Sequence, residues 1–87
     1  MAMYGMDIED VRTLSTQLQQ ASSDIHNIVA QLTGKLQGTT WVGPDRQKFE
    51  GDWQSHHVTA LNNVSNALQE AATLASQNAQ QQETASA

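Results

Sequence analysis

The chain has no cysteine among its 87 residues, which excludes disulfides, thiolate metal sites and thiol nucleophiles together. It has one proline, one tyrosine, one phenylalanine and two tryptophans. A lone monomer therefore has little bulky material for a core, and stability must come from packing, including packing against another chain. Basic residues are scarce: Arg12, Lys35, Arg46 and Lys48 stand against nine acids, for a net charge of −5. Without a basic stripe, no binding to nucleic-acid phosphates is expected, and no attachment to anionic lipid. No stretch approaches the ~18 apolar residues of a transmembrane helix, so stable membrane insertion is not expected. The stretch MAMYGMDIED lacks a basic n-region and an apolar run, so no Sec-type signal peptide is expected. At this length the chain makes one small domain at most.

What is present is helical periodicity. Apolar residues fall at Val11, Leu14, Leu18, Ala21, Ile25, Ile28 and Leu32, the alternating three-and-four spacing of a helix packed lengthwise against another. Ile8, Val29 and Leu36 widen the stripe. Asp7 suits the N-cap, Glu9 and Asp10 suit the positive end of the dipole, and Lys35 with Gly38 suits a C-terminal stop. The pattern predicts a helix over 8–37, after a flexible stretch 1–7. A second pattern begins at Pro44, which suits a first helical turn. It continues through Phe49, Trp53, His57, Leu61, Val64, Leu68 and Leu74, predicting a helix over 44–78. Gly51 costs that helix about 1 kcal/mol relative to alanine. Residues 79–87 have no apolar anchor beyond alanine and are expected to fray.

The expected fold is all-α: an antiparallel helix–turn–helix hairpin with its turn over 38–43. Each stripe is wider than one partner helix covers, so the hairpin is expected to dimerise into a four-helix bundle. The packing residues are then Val11, Leu14, Leu18, Ile25, Ile28, Leu32, Leu61, Val64 and Leu68, with Ala60, Ala67, Ala71 and Ala75 allowing close approach of helices.

The bulky and backbone-special residues concentrate at the midpoint, in TTWVGPDRQKFEGDW over 39–53. Gly43 supplies a backbone angle closed to other residues, and Pro44 sets the restart. Trp41 is suited to fold over the open end of the hairpin with its indole N–H turned to a loop carbonyl. Phe49 and Trp53, one turn apart, share a helix face. Trp41, Gly43, Phe49 and Trp53, set between two amphipathic helices in a chain of this length, resemble the WXG family. These are the early-secreted-antigen-like hairpin substrates of bacterial type VII (ESX) secretion systems.

The resemblance covers about residues 7–80. It implies a non-enzymatic secreted substrate or escort, made in the cytoplasm and exported as a folded homodimer or heterodimer. Export is driven by a membrane ATPase of the FtsK/SpoIIIE type. It also implies that Trp41 and Gly43 form one half of an export-recognition surface, supported by Pro44, Phe49 and Trp53. The other half in that family is a C-terminal Tyr-x-x-x-Asp/Glu motif on the partner. Here the only tyrosine is Tyr4, which favours a heterodimer whose second hairpin carries the motif. The alternatives are a cytosolic helical adaptor and, against the acidic charge, a membrane-permeabilising factor.

Other chemistry finds little footing. The adjacent His56 and His57 point about 100° apart on a helix and do not share an ion. His26 falls beside the stripe, and Asp45, Glu50 and Asp52 are explained by a helix start. There is no GxSxG and no nucleotide-binding glycine loop. No catalytic residue, metal ligand or cofactor is therefore expected.

Overall fold

The computed structural model describes residues 5–86. Of the stretch expected to be flexible, residues 1–4 lie outside the described residues. The described chain is all-helical. Helix α1 spans Ile8–Gln37, a short α2 spans Pro44–Asp52, and α3 spans Val58–Ser86. Between α2 and α3 lies a single π-helical turn, Trp53–His57, so that α2, the π-turn and α3 run on as one rod. This rod lies antiparallel to α1 in a hairpin 65 × 18 × 17 Å in extent.

Local chemistry sets the ends of α1. The Asp7 carboxylate accepts a hydrogen bond from the Asp10 amide at 3.0 Å, supplying one of the orphan donors of the first turn with an acceptor. At the other end Gly38 stops the helix without a left-handed backbone; its φ is −85°. The stop comes from the next residue: the Thr39 hydroxyl donates to the Lys35 carbonyl at 2.6 Å, occupying an acceptor that the helix leaves free.

The seam between α1 and α3 is built on small side chains. Ser15, Ser22, Ser65, Ala72 and Ala79 are its buried residues, and no large side chain of the described chain is fully buried. The Ser15 hydroxyl donates to the Ala72 carbonyl across the seam at 2.8 Å. Ser22 and Ser65 form a reciprocal clasp: each hydroxyl lies within 3.0 Å of the other residue's carbonyl. Small residues let two backbones approach, and a buried hydroxyl within reach of a carbonyl is no longer an unpaired polar group. These pairings fix the register, with residue 15 opposite 72 and residue 22 opposite 65.

The expected packing list divides on this seam. Val11, Leu18, Ile25, Leu61 and Leu68 are half-buried along it, flanking the serines. Leu14, Ile28, Leu32 and Val64 are instead 47–49% exposed, outside the seam of the single hairpin. Of the alanines expected to allow close approach of helices, Ala60, Ala67 and Ala71 face outward from the single hairpin and Ala75 is half-buried, while Ala72 and Ala79 are buried in its seam. The reason is one of phase: with serine at 15, 22 and 65 drawing the backbones together, the bulky neighbours have no room between the helices.

The displaced residues share a side. At 100° per residue, Leu14 and Ile28 lie on one flank of the α1 seam, and Val64, Ala71 and Leu74 on one flank of the α3 seam. Because the helices are antiparallel, those flanks form a single face of the hairpin. The opposite face carries Gln19, His26, Gln69 and Ser76, all exposed. The chain exposes 6274 Å², against about 5,000 Å² for a compact folded monomer of this mass.

The stretch expected to fray from residue 79 is helical to Ser86, correcting the expected helix end at 78. Two contacts continue the hairpin there. Ala79 is fully buried against α1, and the Glu83 carboxylate pairs with the Arg12 guanidinium, which also meets Glu9 one turn away.

A substitution at Ser65 tests the seam. Ser65→Ala removes the half of the clasp that runs from the Ser65 hydroxyl to the Ser22 carbonyl and is expected to cost about 1–2 kcal/mol. Ser65→Leu forces the backbones apart and is expected to cost more, about 3 kcal/mol or above. Urea unfolding measures both; a leucine variant as stable as the native chain contradicts a seam that depends on small side chains.

Candidate functional site

The midpoint residues gather at the closed end of the hairpin. Gly43 has φ 128°, a region that a side chain makes costly, and Pro44 directly after it opens α2. Arg46 then acts as a clamp over the turn. Its guanidinium donates to the carbonyls of Thr39 and Trp41, each at 3.0 Å, and to the Glu50 carboxylate at 3.3 Å. Its side chain is only 15% exposed, so its removal leaves two carbonyls and an acid without their donor.

Trp41 is carried outward on this frame. Its ring meets Phe49 at 5.4 Å between centroids with a 52° tilt, an arrangement favoured by aromatic quadrupoles. It remains 37% exposed, and the neighbouring Val42 is 91% exposed. The bonded indole is that of Trp53, which donates to the Thr33 hydroxyl of α1 at 2.9 Å. Leu32, Lys35, Leu36, Thr39, Trp41, Phe49 and Trp53 surround an open pocket of about 340 Å³ with almost wholly apolar walls.

The π-turn explains how Trp53 reaches the seam. The Val58 amide donates to the Trp53 carbonyl, five residues back, so this turn takes one residue more than an α-turn. With α-helical spacing the residues stacked above Val58 on the seam would be Gln54 and Ser55, both polar. The wider turn swings them out, with His56 and His57, all exposed, and brings Trp53 in. The expected place of His57 on the stripe is thereby corrected: its ring lies outside, 6.2 Å from that of Trp53.

The sequence-selected residues Trp41, Gly43, Pro44, Phe49 and Trp53 are thus brought together at one end. Arg46 and Thr33 were not singled out by sequence reasoning. An arginine two residues after Gly-Pro, followed at four residues by Glu50, is the signal that marks the first. Lys48 and Asp52 of α2 form a solvated pair: Lys48 Nζ lies 2.6 Å from Asp52, and this hydrogen bond holds the Asp52 carboxyl below its ordinary range against the opposing effect of desolvation. Among the described residues no group of three His, Asp or Glu side chains is placed to hold a metal, and no helix is long and apolar enough to cross a membrane. No family model, curated protein or solved structure matches the chain.

Two variants test this frame. Deleting Ser55 converts the π-turn into an α-turn while keeping Trp53 and Val58 in place, so helicity and the thermal midpoint should be retained or rise. A collapse of helicity shows that the extra residue is needed for the fold. Arg46→Ala is expected to cost about 1–3 kcal/mol and to shift tryptophan emission to the red as the turn loosens; unchanged emission contradicts the clamp.

Proposed function

We propose that this chain is a non-enzymatic substrate or escort of a bacterial type VII (ESX) secretion system, exported as a folded helical dimer. Its Trp41–Gly43 turn forms part of the surface read by the FtsK/SpoIIIE-type ATPase. The observation that carries this reading is the placement of Trp41. A tryptophan needed only to close a turn is expected to be buried in it, whereas this ring stands over a third exposed on a turn that Gly43 and Arg46 already hold. A large aromatic kept rigid and accessible is what a recognition surface uses.

Pairing with a second hairpin is supported by the apolar face of Leu14, Ile28, Leu32, Val64 and Leu74, which needs a cover. Two such faces together make a four-helix bundle, and the polar opposite faces keep it in solution. On this reading the chain is made in the cytoplasm and leaves by the type VII route.

The test is appearance in culture filtrate with and without the secretion ATPase. Export that requires the ATPase is expected. Trp41→Ala should reduce it while the thermal midpoint moves by less than about 8 °C, equivalent to roughly 1 kcal/mol. Retention inside cells regardless of the ATPase points to the cytosolic adaptor instead. Loss of export and of stability together makes Trp41 a structural residue.

A further inference from the structure

We infer that Val42 is a specificity-determining residue of the recognition turn: its isopropyl group enters an apolar recess on the ATPase surface that meets Trp41. This rests on the proposed function and adds to it a residue and the chemistry of the surface that reads it.

The hairpin makes no use of the Val42 side chain. It is 91% exposed, whereas the other exposed large apolar residues are 37–58% exposed. An apolar group left in water on a turn gains the fold nothing. A β-branch does stiffen a side chain, but threonine carries the same branch, so shape alone does not call for a second methyl group at this position.

The backbone holds Val42 still from both sides. The Trp41 carbonyl before it accepts from the Arg46 guanidinium at 3.0 Å, and the Gly43 carbonyl after it accepts from the Gln47 amide at 3.2 Å. A side chain presented on a fixed backbone has little freedom left to lose on binding, so most of its burial appears as affinity. Full burial of a valine is then worth about ten- to a hundredfold in Kd.

The charges at this end do not supply another means of reading. They are Lys35, Asp45, Arg46, Lys48, Glu50 and Asp52. Arg46 pairs with Glu50 and Lys48 with Asp52, while Lys35 and Asp45 are of opposite sign. The tip is therefore neutral, and the net charge of −5 lies elsewhere on the chain. No field of one sign steers a partner to the turn. What the turn presents is the Trp41 ring and a branched apolar side chain beside it, and the surface complementary to the latter is an apolar recess of valine size. Such a recess strips water from a hydroxyl without giving it a partner, which is how it tells valine from threonine.

Val42→Thr tests this, measured as binding to the detergent-solubilised secretion ATPase alongside Trp41→Ala. The threonine variant is expected to raise Kd about tenfold or more. Its thermal midpoint should stay within about 4 °C of the native chain's, as for an exposed substitution. Native binding should weaken by less than about threefold between about 50 and 500 mM salt. If the threonine variant binds like the native chain while Trp41→Ala binds weakly, the role of Val42 is overturned and the reading of Trp41 stands. If neither substitution affects binding, the proposed function fails and this inference with it. A steep loss of affinity with salt shows a tip read by charge and overturns the recess. A larger fall in the thermal midpoint gives Val42 a part in the fold and overturns its assignment to recognition.

Discussion

The close approach of α1 and α3 over Ser15, Ser22 and Ser65 is the constraint on which the rest of the molecule depends. A buried serine gains little from burial of its own surface; its role is to be small and to have its hydroxyl satisfied by the opposite backbone. Once the backbones are drawn together by hydroxyl–carbonyl bonds of 2.8–3.0 Å, leucine and isoleucine are displaced to the flanks. The hairpin thereby trades an internal apolar core for register and an external apolar face. Among the described residues the fully buried apolar side chains are two alanines, too little for a small domain to stand on.

The same constraint shapes the tip. A rod whose seam repeats with serine and alanine needs a bulky residue where the helices part, and Trp53 fills that place through its bond to Thr33. An α-helical turn would have offered Gln54 or Ser55; the π-turn adds the one residue that changes the phase. Trp41 is then freed from closing the hairpin, because Arg46 binds the turn carbonyls and Trp53 covers the helix ends. The exposed tryptophan is a consequence of two other residues having taken over the structural work.

Much of the hairpin was legible in the sequence. Asp7, Gly43 and Pro44 act through local rules that need no tertiary context, so both helix starts are read directly from them. The seam was legible only in part. Positions 11, 18 and 25 serve either of two neighbouring stripes, and hydrophobicity selects Leu14 and Ile28 over Ser15 and Ser22, although the serines are what the hairpin buries. A period-based reading also counts His57 because Phe49, Trp53 and His57 are evenly spaced. The five-residue step from Trp53 to Val58 is the trace of the π-turn, visible only once the seam is known. The helix beyond residue 78 depends on Ala79 and on an ion pair formed across 71 residues of chain, which no local pattern contains.

We propose that this hairpin is stable only when another hairpin covers its apolar face. Light scattering and circular dichroism of the isolated chain over a dilution series test it directly. The account predicts that helicity and a mass of twice the 9.5 kDa chain appear together and are lost together on dilution. Full, cooperative helicity at the mass of a single chain would contradict it.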